Sequence, residues 1–195
     1  MAPLVILFAK APVAGRVKTR LGLEASRAAR LHEAMVRDTL AMLRALDAEL
    51  ELHTDVATDA WAEFAVPRKL QAAGDLGARM LAALEAGRQV MIVGSDAPTL
   101  PLGHLEWLLA LSADVALGPA EDGGYYAISC RRIHQRMFAG VEWSTRRTLE
   151  QTVAAAEACG LSVELGPVWF DVDSPEDLAR LCAAGWREGE SEIWD

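Results

Sequence analysis

Disulfides cannot hold this chain together: Cys130, Cys159 and Cys182 are odd in number, far apart, and part of no CxxC or Cys/His pattern. That excludes a stapled extracellular scaffold and a structural zinc site, and it points to a reducing cytoplasm. Long apolar runs are missing as well. The run from Leu4 to Ala9 is far shorter than a bilayer span, and its basic residues follow it, whereas those of a secretion signal come first. Basic residues are in deficit, 19 against 28 acidic, for a formal net charge of −9. Such an excess argues against nucleic acid or an anionic membrane as the main partner, so any site for an anion must be built locally. Neither GxGxxG nor GxxxxGK followed by Ser or Thr occurs, which removes the dinucleotide fingerprint and the P-loop. No repeat or Gly/Ser linker divides the chain.

What is present is core material. Apolar residues make up 52% of 195, enough for one sizeable interior, and a single domain over 1–195 is expected. Strands are expected at 3–8, where PLVILF stops at a Pro/Gly-containing segment, and at 49–57, 66–71, 89–93, 114–117, 125–129 and 161–168. Helices are expected at 26–47, 76–86, 102–111, 144–158 and 175–184. The first places Leu31, Met35, Met42 and Leu46 on one face and Arg30, Glu33, Arg37 and Arg44 on the other. The last has the clearest start, with Ser174 as cap, Pro175 at the first helical position and Asp177 where a capping-box acid stands. Alternating strands and helices give a three-layer α/β sandwich with a mainly parallel sheet. The acidic tail from Gly185 to Asp195 carries no assignment.

Chemistry concentrates in a few segments. Ala9 to Leu21, AKAPVAGRVKTRL, follows the first strand and holds Lys10, Arg16, Lys18 and Arg20 without one acid. Phosphates need exposed N–H groups, a glycine that lets the backbone come close, and cationic side chains; Gly15 and its neighbours supply them. A solvated basic turn would use the same residue types, and the position after strand one favours the phosphate cradle. In VMIVGSDAPTLP a buried strand delivers Ser95 and Asp96 to the carboxyl edge, where open α/β sheets bind ligands. Asp96 there suits a hard cation such as Mg²⁺, and equally a cap on the turn before the helix at Leu102. GPAEDGGYY gathers Asp122, Gly123, Gly124, Tyr125 and Tyr126. Its glycines admit a ligand, Asp122 can receive hydroxyls, act as a base or orient a metal, and a tyrosine can pack on a ring. Asp-Gly is also a hairpin signal.

In WFDVDSPED, Asp171 and Asp173 alternate at a strand's end and are expected on opposite faces, Asp173 toward a metal. Gln71, Gly74 and Asp75, with Gly77 and Arg79, form a polar turn entering a helix, suited to nucleobase or phosphate contacts. His32, His53, His104 and His134 fit no ligand spacing, and Trp61, Trp107 and Trp186 read as packing.

Taken in order, FAKAPVAGRVKTRL, QAAGDLGARM, VGSDAPTL, LGPAEDGGYYAI, VEWSTRRTLEQT and FDVDSPEDL resemble the small rSAM/selenodomain-associated, or arsenosugar-biosynthesis glycosyltransferase, proteins over nearly the whole chain. Those are similar in turn to the GT-A, or nucleotide-diphospho-sugar transferase, fold, which also houses molybdenum-cofactor and phospholactate guanylyltransferases. The resemblance implies a Rossmann-like sandwich, a nucleotide or nucleotide-sugar and a small-molecule acceptor as partners, and Mg²⁺ or Mn²⁺ as cofactor. It also implies Gly15, Arg16 and Lys18 in the nucleotide loop, and Asp96 and Asp173 as the metal acids. Asp122, Gly123 and Gly124 would line the pocket of the transferred group, and Trp143 the acceptor side. Two departures stand out: SDAP replaces a full DxD, and the first loop lacks the longer glycine-rich signature of many nucleotidyltransferases.

The expected activity is metal-dependent glycosyl transfer, in which the cation and Arg16, Lys18 and Arg20 stabilise the departing nucleoside diphosphate. Asp96, Asp122 and Lys18 are its expected catalytic residues. Nucleotidyl transfer with release of pyrophosphate is the nearest alternative, since the same parts would serve in-line attack on an α-phosphate. A non-catalytic nucleotide-binding module is the third.

Overall fold

Leu4–Ala9 (β1) is apolar on both faces, and it pairs in parallel with Glu49–Thr54 (β2) on one side and Val90–Gly94 (β4) on the other. A parallel strand buried on both faces needs helices above and below it. The computed structural model, which describes residues 2–187, supplies them. Residues 188–195 of the unassigned tail, Trp194 included, lie outside the described residues.

The sheet has seven strands in the order β3-β2-β1-β4-β6-β5-β7, with β3 at Arg68–Leu70, β5 at Val115–Pro119, β6 at Tyr125–Cys130 and β7 at Val163–Leu165. Only β6 runs against its neighbours, β4 and β5; every other pairing is parallel. Val5 and Leu7 point to a layer formed by Ala25–Leu43 (α1) and Leu102–Ala110 (α3), where Val36, Leu40, Leu105 and Leu108 are buried. Leu4 and Ile6 point the other way, to Met80 and Leu84 of Leu76–Leu84 (α2) and Ala156 of Thr148–Ala158 (α4). A third cluster joins Leu31 and Met35 of α1 to Leu181 of Pro175–Ala183 (α5), with Phe170, Val172 and Trp186. This is the mainly parallel three-layer α/β sandwich that the alternation of strands and helices predicts.

Boundaries moved where side chains and turns intervene. α4 starts at Thr148 and not at 144, because Ser144 has φ 61° and the Thr148 hydroxyl donates to the Glu142 carbonyl at 2.9 Å, folding 142–147 into turns. β7 is three residues long instead of the expected 161–168. Past Leu165 the chain still follows β5 through Gly166 N–H to Leu117 O (2.8 Å) and Trp169 N–H to Pro119 O (3.0 Å). Pro167, however, has no N–H to continue the ladder. β2 ends at Thr54, and a short 3₁₀ turn at Ala62–Phe64, absent from the expected pattern, follows Trp61 at φ 64°. α5 has its capping box: Ser174 Oγ accepts from Asp177 N–H at 3.2 Å, and the Asp177 carboxylate accepts from Ser174 N–H at 2.8 Å.

A bulge sits near the site. Gly118 pairs with Ala127 and Pro119 with Tyr125, leaving Tyr126 as the extra residue, so its ring turns to the α3 side and lies over Gly118. A Cβ on Gly118 would come within 2.2 Å of that ring. The Tyr126 hydroxyl donates to the Pro167 carbonyl at 2.9 Å, tying β6 to the segment beyond β7. Among the described residues no helix is long and apolar enough to cross a membrane.

Candidate active site

Six strands running one way bring their carboxyl ends to one edge, and there the loops after β1, β4 and β7 meet. The loop after β1 reverses through Gly15 at φ 79° and Lys18 at φ 49°, the latter a left-handed conformation that a non-glycine residue seldom adopts. The Lys18 side chain turns inward and is only 3% exposed. Its Nζ lies 2.5 Å from Asp96 Oδ1 and 3.1 Å from Asp173 Oδ1, and it donates to the Val172 carbonyl at 2.7 Å. An ammonium has three protons, and these three acceptors take them. Burial alone would depress the Lys18 pKa; the two carboxylates outweigh it and raise the value. Burial would likewise raise Asp96, and Lys18 holds it below the usual carboxylate range instead. Val172 N–H donates to the Asp96 carbonyl at 2.8 Å, which locks the post-β7 segment beside the end of β4.

The other loop cations divide. Arg16 Nη2 is 3.2 Å from Asp55 Oδ2, and the second oxygen of Asp55 accepts from Ala11 N–H at 2.7 Å. Asp55, just past β2, thus fastens both arms of the loop, and the sequence reading missed it. Lys10 and Arg20 are exposed and, among the described residues, take part in no ion pair. Behind the loop, His32 of α1 is buried and donates from Nε2 to the Lys10 carbonyl at 2.9 Å. Burial pushes its pKa down.

Asp122 forms the β5–β6 turn, its Oδ1 accepting from Gly124 N–H at 2.7 Å. Gly123 has φ 92°, and a Cβ there would meet the Arg146 carbonyl oxygen at 2.2 Å. Asp171 is pushed up to about 7, first by burial and then by Asp122, Asp96 and Asp173, with Lys18 opposing. The strand on which the expected alternation of Asp171 and Asp173 rested is absent: β7 ends at Leu165 and 171–173 is not strand, while Asp171 lies within electrostatic reach of all three other acids.

Three candidates carry structural duties. Gln71 donates to His53 O at 3.1 Å and Ala9 O at 3.4 Å and accepts from Arg79 at 3.2 Å, sealing the ends of β1 and β2. Asp75 caps α2 by accepting from Ala78 N–H at 2.9 Å, after Gly74 has turned the chain at φ 110°. The Tyr125 hydroxyl faces Met80 Sδ at 3.9 Å in the core under α2, away from the carboxylates, and burial raises its pKa. Trp143 lies across Gly77, where a Cβ would be 2.9 Å from the indole, and so flanks the first turn of α2.

The residues present fit a divalent cation. Asp96 and Asp173 already converge on one positive centre, and hard oxygen donors suit Mg²⁺ or Mn²⁺. Among the described residues no three His, Cys, Asp or Glu side chains gather to hold an ion unaided. A carboxylate pair completed by water and phosphate oxygens is the ordinary arrangement for Mg²⁺.

A basic loop after the first strand, acids at the ends of later ones and one reversed strand in a parallel sheet define a protein of the nucleotide-diphospho-sugar transferase fold. The chain is 30% identical to the putative nucleotide-diphospho-sugar transferase from Desulfovibrio desulfuricans G20, whose crystal structure it matches over 97% of this chain and 90% of that one with a TM-score of 0.85. It belongs to the family described as "Uncharacterized protein conserved in bacteria (DUF2064)", matched over residues 27–145. It is also 31% identical over 101 residues to the 2-phospho-L-lactate guanylyltransferase of Haloarcula marismortui. That match covers 49% of this chain and 48% of the relative, so the likeness spans about half of each. The CMP:2-keto-3-deoxy-manno-octonic acid synthetase complexed with CTP, 13% identical, shares the fold with a TM-score of 0.63 over 95% of this chain and 98% of that one.

Proposed function

We propose that the chain is a single-domain, cytoplasmic nucleotidyltransferase that moves a nucleotidyl group from a nucleoside triphosphate to an anionic oxygen of a small acceptor and releases pyrophosphate. The observation that carries this reading is the placement of Lys18 between Asp96 and Asp173, which brings the cationic loop and the acid pair together. Gly15 and the loop N–H groups would cradle the phosphates, with Lys10, Arg16, Lys18 and Arg20 neutralising the charge that builds on the leaving pyrophosphate. Asp96 and Asp173 would hold Mg²⁺ or Mn²⁺, which when bound offsets phosphate charge at the site of attack. Asp122 and Asp171, at the acid-rich end, would receive acceptor hydroxyls, or a proton on Asp171. Gly123, Gly124 and Trp143 would border the acceptor. Four loop cations suit the charge of a triphosphate better than that of a nucleotide-sugar, and the partial match to a guanylyltransferase favours the same choice.

Glycosyl transfer is the second reading, supported by the motif resemblance and by the name of the Desulfovibrio relative. The test is product analysis. The protein is incubated with each nucleoside triphosphate, Mg²⁺ or Mn²⁺, and a panel of phosphorylated and hydroxy-acid acceptors, and pyrophosphate is measured. Acceptor-dependent pyrophosphate is expected. A nucleoside diphosphate released from a nucleotide-sugar would move the assignment to glycosyl transfer. No product and no nucleotide-induced shift in melting temperature would overturn both.

A further inference from the structure

We infer that Lys18 and the divalent cation are alternative occupants of the same carboxylate pair, the lysine holding Asp96 and Asp173 until the cation displaces it onto the nucleotide's phosphates. The inference rests on the nucleotidyltransferase reading and adds an order of events to it. Lys18 cannot contact a phosphate from where it sits: its side chain is 3% exposed, and its three protons are taken by Asp96, Asp173 and Val172 O. A divalent ion on those carboxylates would stand close to an ammonium that lies 2.5 and 3.1 Å from their Oδ1 atoms, and like charges that near repel. Each occupant therefore weakens the hold of the other.

The backbone favours a lysine that can go. Lys18 sits at φ 49°, a disfavoured conformation held by the side-chain bonds at its far end together with the turn bond from Leu21 N–H to its carbonyl at 3.2 Å, so losing the side-chain bonds removes part of what holds it. The rest of the loop has anchors of its own, Ala11 N–H and Arg16 on Asp55 and Lys10 O on His32, and need not move. A nucleotide arriving with its cation would offer each released group a partner at once, the cation for the carboxylates and phosphate for the lysine. Cation and nucleotide would then each raise the other's affinity, while the free cation alone binds weakly.

The experiment is a titration of the full chain with Mn²⁺ alone, free Mn²⁺ being read by electron paramagnetic resonance. Lys18→Met is expected to bind Mn²⁺ roughly tenfold more tightly than the wild type, and Asp96→Asn in that background to abolish the gain. Equal or weaker binding by Lys18→Met overturns the inference, as does no binding by either protein. Pyrophosphate release, measured separately, then still decides the transferase reading. Should Lys18→Met fail to fold, the wild type gives a second readout. The chain has three lysines, Lys10, Lys18 and Lys69. Acetylation of Lys18 by acetic anhydride is expected to rise about tenfold at saturating Mn²⁺. Lys69, whose side chain is 57% exposed, is expected to stay constant. Unchanged protection of Lys18 overturns the inference.

Discussion

At the scale of single residues, buried charge makes the sharpest predictions. Asp38 is buried in α1 and accepts from Trp186 Nε1 at 2.6 Å; burial raises its carboxyl pKa, with Trp186 acting the other way. A carboxyl with a raised folded-state pKa gives stability that is whole below its unfolded value and is lost as pH rises through the folded one. Asp38→Asn keeps an acceptor for Trp186 and removes the charge. It should gain about 1 kcal/mol near pH 7, a melting temperature some 2–4 °C higher, shrinking toward pH 4. A gain equal at both ends of a calorimetric pH series would rule out ionisation as its source. Lys18→Ala, which strands Asp96 and Asp173, should cost about 1 kcal/mol, since both carboxylates are half exposed, and Asp96→Asn should restore part of it. Additive losses in that double-mutant cycle would deny the coupling. Lys18 and Asp96 were legible because a basic loop in an acidic chain and an acid at a strand's end are local signals. Asp55 was not, because its job is set by Arg16, 39 residues away.

Elements were legible where the signal is local and blurred where it is not. The Ser174–Asp177 capping box stands in the sequence, and Ser174→Ala should lower stability by about 1 kcal/mol. The start of α4 and the end of β7 depend on the Thr148 hydroxyl reaching back to the Glu142 carbonyl, on Ser144 at positive φ and on Pro167 interrupting the ladder with β5, and no periodicity reports that. Two glycines with positive φ separate backbone strain from crowding. Gly15→Ala has nothing within 4 Å to strike and should cost about 1 kcal/mol. Gly123→Ala would drive a methyl into the Arg146 carbonyl and should cost roughly 2–4 kcal/mol, displacing the segment that carries Trp143. Denaturant melts of both variants decide this, and equal losses would mean that 144–147 yields freely.

For the molecule as a whole, the carboxyl edge should respond as one site. A saturating nucleotide with Mg²⁺ should slow amide exchange together at 10–20, 95–97, 120–124 and 169–173, and raise the melting temperature with ligand concentration. Protection confined to 10–20 would leave the acids out of the site. The sheet and its layers were legible because alternating apolar runs admit few arrangements. Which acids would meet was less so, because the loops, not the strands, carry them. The bond from Lys18 to Asp173 spans 155 residues. During translation at about 5–20 residues per second, the lysine is made roughly 8–30 s before Asp173. In a nascent chain the basic loop therefore meets Asp55 and Asp96 before Asp173 exists, and the Lys18 cluster stays incomplete until the segment after β7 has been made.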